Sequence, residues 1–167
     1  ENCCVILTTG EETGDLPGRV FSARELTVRE NRALIEASTL FVGCGSGITV
    51  VATTVPQVPM IQVLSSSPSV FASFLHDHEH FGKDPSQIVE ICDIGAGRLA
   101  QAVRCACLNG IDEARRRFER RVPLHFEHYF GMLQRELLSA ARYLDAAESV
   151  CHTVARYGDR PELKAFH

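Results

Sequence analysis

Short apolar runs alternate with polar, glycine- and proline-bearing connectors through the first half of the chain. Residues 3–8, Cys-Cys-Val-Ile-Leu-Thr, end in Thr9-Gly10, the pattern of a buried strand running into a loop. Glu11 to Gly18 holds two glycines and a proline and reads as a connector. Arg19-Val20-Phe21-Ser22 is a candidate second strand. Thr27-x-x-Glu30 is a capping box, in which the threonine hydroxyl accepts a backbone N–H three residues on and the glutamate reaches back. It predicts a helix over about 28–37. Thr39-Leu40-Phe41-Val42-Gly43 is apolar, as expected of a parallel strand covered on both faces. A turn, Cys44-Gly45-Ser46-Gly47, leads into a helical run over about 47–54. Met60-Ile61-Gln62-Val63-Leu64 is the next strand and ends in Ser65-Ser66-Ser67-Pro68. A helical segment over about 69–80 and a last strand, Ile88-Val89-Glu90-Ile91, follow.

Strands alternating with helices predict βαβ units with right-handed crossovers, hence an α/β fold. The expected architecture is a Rossmann-like parallel sheet flanked by helices. In such sheets ligands bind beyond the carboxyl ends of the strands. Here those ends are Thr8-Thr9-Gly10, Gly43 to Gly47, and Ser65-Ser66-Ser67, all small and mostly hydroxyl-bearing. No strand pattern follows residue 91. A helix rich in Ala and Arg spans about 97–119, with a break at Asn109-Gly110. Phe126, Tyr129, Phe130, Leu133, Leu137, Leu138, Ala141, Leu144, Ala147, Cys151 and Val154 then recur at three- and four-residue steps. They predict one long amphipathic helix over about 124–157, stopped by Gly158. The expected division is therefore an α/β domain over 1–94 and an all-helical C-terminal extension over 95–167. A helix of that length overhangs a domain of about 100 residues, so its stripe is expected to meet a partner domain or a second copy of the chain.

The composition narrows the class without changing this picture. The 167 residues are 45% hydrophobic and 23% charged, which excludes disorder and coiled-coil arrays. No apolar stretch approaches the ~20 residues of a membrane helix. A net charge of −4 argues against a general nucleic-acid binder. Seven cysteines without a paired spacing predict reduced cytoplasmic thiols packed in a core. Because the first strand begins almost at Glu1, the sequence reads as the C-terminal part of a larger protein.

The segment with most chemistry is Gly43-Cys44-Gly45-Ser46-Gly47-Ile48-Thr49. A glycine-rich turn from strand to helix lets a ligand approach the backbone, and the helix start favours a diphosphate. Its spacing matches neither the P-loop nor the dinucleotide fingerprint, and a tight turn that simply needs glycine fits equally well. His76-Asp77-His78-Glu79-His80 offers a second possibility. On a strand its three histidines would share a face and could bind the metal of a hydrolase; on a helix only His76 and His80 align. The run from Asp112 to Arg121 interleaves acids and bases and reads as a solvated helix face, with Glu113 and Arg117 paired.

In order and context, residues 3–68 resemble the C-terminal, donor-binding half of GT-B glycosyltransferases, most closely the lipopolysaccharide heptosyltransferase family. The resemblance rests on Val5-Ile6-Leu7-Thr8-Thr9-Gly10 and on Leu26 to Ala37 with its Glu30 and Leu34-Ile35. It continues through Leu40-Phe41-Val42-Gly43-Cys44-Gly45-Ser46-Gly47 and Val58-Pro59-Met60-Ile61, into Ser65-Ser66-Ser67-Pro68. Gly45 stands where the family has aspartate, and Val50 where it has histidine. The resemblance implies metal-independent transfer of a sugar from a nucleoside diphosphate to a hydroxyl acceptor, with the nucleotide sugar as substrate and no further cofactor. It implies donor contacts from Thr9, Gly10, Gly43, Gly45, Ser46, Gly47, Thr49, Ser65, Ser66 and Ser67. It places the catalytic base on an N-terminal α/β domain outside this chain. The alternative is a non-catalytic Rossmann-like module for interaction or assembly.

Overall fold

Three parallel strands form the larger sheet of the computed structural model, which describes residues 4–8, 19–66, 73–80, 82–122 and 133–157. They are β3 (Phe41–Gly43), β4 (Met60–Leu64) and β5 (Ile88–Cys92), in that spatial order. Two shorter strands, β1 (Val5–Leu7) and β2 (Val20–Ser22), pair in parallel as a separate sheet. The helices are α1 (Val28–Glu36), α2 (Gly47–Ala52), α3 (Phe74–His80), α4 (Ala96–Asn109) and α5 (Ile111–Phe118). This is an α/β, Rossmann-like architecture with a helical C-terminal part, as the alternating pattern predicts.

Side-chain alternation along the strands separates two apolar layers. Met60 and Ile88 pack with Ile35 of α1, Ala52 of α2, and Phe74 and Leu75 of α3. Ile61, Val89 and Ile91 face the other way, against Ala102 of α4 and Ile111 just after it. Helices thus cover both faces of β4 and β5, which explains why these strands are continuous apolar runs. The edge strand β3 departs from the expected double cover: Val42 is 40% exposed. Val5, Ile6 and Phe21 of the two-stranded sheet are likewise exposed.

Local chemistry sets the helix limits. Thr27 and Glu30 form the reciprocal capping box at the start of α1, with Glu30 Oε2 accepting the Thr27 N–H at 2.8 Å. Gly110, at φ 88°, separates α4 from α5. From α5, the Arg115 guanidinium donates to the Pro85, Ser86 and Ile88 carbonyls and fastens the entry to β5.

The chain divides into two compact units, one over 1–66 and 70–122, the other over 67–69 and 123–167. Helices α4 and α5 belong to the first, because they supply one whole apolar layer of its sheet. The compact boundary therefore falls at Val122–Pro123 rather than at 94–95. In the second unit a π-helical segment, Leu133–Leu138, precedes α6 (Tyr143–Tyr157). The single long helix expected over 124–157 is interrupted: Ala141 takes φ 56° and the chain leaves the helical path before Tyr143. Residues 123–132 of that expectation lie outside the described residues. The interruption resets the helical phase. Among the described residues of α6, Ala146 and Thr153 are buried, whereas Leu144 is 87% exposed.

Two polar residues sit fully buried in the middle of β4 and β5, and their positions face each other in register: Gln62 and Glu90. Glu90 Oε2 accepts the Ser73 hydroxyl and Oε1 accepts the Val122 N–H at 2.5 Å. Gln62 Oε1 accepts the Phe74 N–H at 2.9 Å. A buried donor left without its acceptor is costly. Glu90→Ala is expected to lower unfolding free energy by about 3 kcal/mol, from two orphaned donors. Denaturant titration checks this, and a loss below about 0.5 kcal/mol, the size of an ordinary surface change, would contradict it.

Candidate functional site

The carboxyl ends of β3, β4 and β5 lie side by side, so the turns that leave them share one edge of the sheet. At the first, Gly43 is required by packing. A Cβ there would lie 2.6 Å from Phe41 Cε1 and 2.7 Å from Thr49 Oγ1. None of Gly43, Gly45 and Gly47 takes a positive φ, so left-handed backbone is not the reason for this glycine-rich turn.

The turn is held from within. Thr49 is fully buried and its hydroxyl donates to the Cys44 carbonyl. That uses its one proton, so the Ser46 hydroxyl donates to Thr49 Oγ1 at 3.2 Å. The Ser46 N–H closes on the Cys44 carbonyl at 2.7 Å. Thr49, expected among the ligand contacts, is therefore a structural residue that fixes the turn, and Ser46 offers a ligand lone pairs rather than a free proton.

The helix start is different. Ser46 occupies the N-cap position of α2 but its side chain makes no capping bond. The Thr49 and Val50 N–H groups reach the Ser46 carbonyl, at 3.0 and 3.3 Å. The N–H groups of Gly47 and Ile48 belong to the first turn, which has no intrahelical acceptor. Gly47 is exposed, and beyond its chain neighbours and its own helix backbone nothing lies within 4 Å of where its Cβ would be.

At the end of β4, Ser65 is exposed, and Ser66 is drawn to the end of β5. The Ser66 N–H donates to Asp93 Oδ1 at 2.9 Å, and the Ser66 hydroxyl also bonds the Asp93 carboxylate. Asp93 itself takes φ 53°, with its N–H on the Leu64 carbonyl at 2.9 Å. The hydrogen bonds from Ser66 hold the Asp93 carboxyl below its ordinary range, and the Arg120 charge adds to this. Beside it, burial and the Asp93 carboxylate push the Cys92 thiol up. Thr9, Gly10 and Ser67 lie outside the described residues.

Of the ten expected contacts, the structure thus brings Gly43, Gly45, Ser46, Gly47, Ser65 and Ser66 to one sheet edge. It adds Asp93, which the sequence reading missed. The available signal was a carboxylate directly after an apolar strand and just before Gly95-Ala96-Gly97.

The histidine cluster falls on α3. His78 is buried and its Nδ1 lies 2.8 Å from the Phe74 carbonyl, which places the proton on Nδ1. His76 lies with Nε2 3.4 Å from the Val122 carbonyl and Nδ1 3.8 Å from Glu79. Two helical steps turn these rings roughly 200° apart. The side chain of His80 lies outside the described residues. No group of three His, Cys, Asp or Glu placed to hold a metal occurs among the described residues. In the charge run, Glu113 bonds both Arg116 and Arg117, which draw its carboxyl down to about 2. The cysteines are not the core set expected: Cys92 and Cys105 are buried, while Cys4, Cys44, Cys107 and Cys151 are exposed.

Comparison with protein-family models, with curated proteins and with solved structures finds no match for this chain.

Two outcomes follow from this geometry. Gly43→Ala should cost about 1–3 kcal/mol, the range for forcing an extra methyl into packed atoms. An unchanged denaturation midpoint would show that Phe41 and Thr49 yield freely. The Asp93 carboxyl should titrate below the ordinary aspartate value of about 3.9. Its stabilising contribution is then present above that unfolded-state value and is lost as pH falls through the lower folded one. Carbon-13 NMR titration reads the folded midpoint, and a value at or above the ordinary one would contradict the Ser66 clasp.

Proposed function

We propose that the chain is the nucleotide-sugar-binding half of a glycosyltransferase, taking the donor diphosphate at the turn from β3 into α2. The observation that carries this reading is the uncapped start of α2. Ser46 leaves the first turn of α2 without a side-chain cap, Gly47 is exposed, and the turn lies at the carboxyl edge of a parallel sheet, where α/β folds take their ligands. Backbone donors fixed in advance stabilise a diphosphate leaving group as its charge grows. Ser65 and Asp93, at the neighbouring strand ends, would contact the rest of the donor. The resemblance of residues 3–68 to the heptosyltransferase family supplies the sugar and the hydroxyl acceptor. It also assigns the catalytic base to a partner α/β domain, so this chain by itself should bind donor without transferring sugar.

A second reading, an interaction module of the same fold, is favoured by the internal use of the Thr49, Ser46 and Ser66 hydroxyls and by the exposed Val5, Ile6 and Phe21. Backbone donation separates the two readings. Proline is tolerated at the first helical position, and Ser46 already holds the extended conformation a following proline requires, φ −124° and ψ 165°. Gly47→Pro should therefore keep the thermal transition and remove one amide donor. Calorimetry with ADP, UDP, GDP and CDP should show binding to the wild-type chain, weakened about tenfold in this variant, the size of one charge-assisted hydrogen bond. Absence of binding by all four at millimolar concentration would favour the interaction module.

A further inference from the structure

Helix α6 turns its apolar side outward. At about 100° per residue, Tyr143, Leu144, Ala147, Cys151, Val154 and Ala155 fall within an arc of roughly 120° on its surface. All of them are exposed, Tyr143 at 65% and Leu144 at 87%. The residues that α6 buries, Ala146 and Thr153, lie outside that arc, and so do Asp145, Glu148 and His152. An amphipathic helix ordinarily packs its apolar stripe against a core. An apolar stripe of this extent left in water marks an interaction surface.

Charge and area select the occupant. The first half of α6 carries Asp145 and Glu148, the second half His152 and Arg156. An anionic lipid surface or a nucleic acid takes helices rich in Lys and Arg, which this balance does not match. The same helix running the other way does match it. An antiparallel pair sets each acidic half beside the basic half of the other copy and opposes the two helix dipoles. Leu144, Ala147, Cys151 and Val154 also follow the a and d spacing of a heptad. With the pair centred on Ser149, Leu144 is level with Val154 of the second copy and Ala147 with Cys151 of the second copy. The small layers in the middle let the helix axes approach. The stripe amounts to roughly 500 Å² in each copy, so the pair covers about 1,000 Å², the lower bound of a specific interface. We propose that this face of α6 pairs antiparallel with the same face of a second copy of the chain, with micromolar affinity. The pairing is independent of the nucleotide-binding reading above.

The test is sedimentation velocity on the whole chain from micromolar to submillimolar concentration. The expected result is a monomer–dimer equilibrium, weakened at least tenfold by Leu144→Glu with the thermal transition unchanged. Leu144 is exposed, so the substitution removes no core contact; Leu144→Gln, which adds no charge, should weaken the dimer in the same direction. Orientation is read by oxidation of Ala147→Cys. In an antiparallel pair the new thiol meets Cys151 of the second copy, so a disulfide-linked dimer should form and should disappear when Cys151→Ser is added. A crosslink that survives Cys151→Ser would show Ala147→Cys meeting itself and would overturn the antiparallel arrangement. A chain that stays monomeric at every concentration would overturn the pairing altogether. A dimer untouched by both Leu144 variants would do the same, by placing the contact elsewhere. So would a monomer that binds vesicles of phosphatidylcholine and phosphatidylglycerol and loses that binding in Leu144→Glu, because the occupant would then be a lipid surface.

Discussion

A glutamate with no exposed surface holds three segments of the α/β unit in place. Glu90 receives the Ser73 hydroxyl at the start of α3 and the Val122 N–H at the end of the unit, while its own carbonyl receives the Arg120 N–H at 2.9 Å. Burying a polar group is unfavourable unless its bonds are made. Here they can be made in only one register. Because side chains alternate, a slip of β5 by one residue would turn Glu90 toward the apolar layer under α4 and α5. Gln62, opposite in register on β4, adds the same constraint through the Phe74 N–H. The pair fixes where β4 and β5 end, and so fixes Ser65, Ser66 and Asp93 at one level of the sheet.

The edge so defined has two kinds of polar group. Its hydroxyls mostly serve the protein: Thr49 and Ser46 close the β3–α2 turn, and Ser66 holds Asp93. At the start of α2, Ser46 provides no side-chain cap. On the proposed reading a diphosphate at that turn would draw on main-chain donors, and fixed amides require no reorganisation when charge develops.

Much of the fold was legible in the chain. The apolar runs at Met60–Leu64 and Ile88–Cys92 are strands because helices cover both faces, and the capping box at Thr27 and Glu30 is present as spacing alone implies. The glycine-rich turn was visible, but its cause was not. Gly43 is small because Phe41 and Thr49 crowd it, a contact that no local pattern encodes. Glu90 and Gln62 looked like stray polar residues in apolar runs; their partners Ser73, Phe74 and Val122 are brought in by tertiary structure. The apolar stripe from Phe126 to Val154 suggested one helix. Ala141 breaks it, and periodicity continued across the break gave a false phase for α6.

The most direct test of the account is a nitrogen-15 NMR titration of the wild-type chain with a nucleoside diphosphate, following each backbone amide. The account expects the largest shift changes at Gly45, Gly47 and Ile48, with smaller ones at Ser65 and Ser66 and none along α5. Saturating changes confined to other parts of the sheet edge, or binding that leaves the Gly47 and Ile48 amides unmoved, would contradict it.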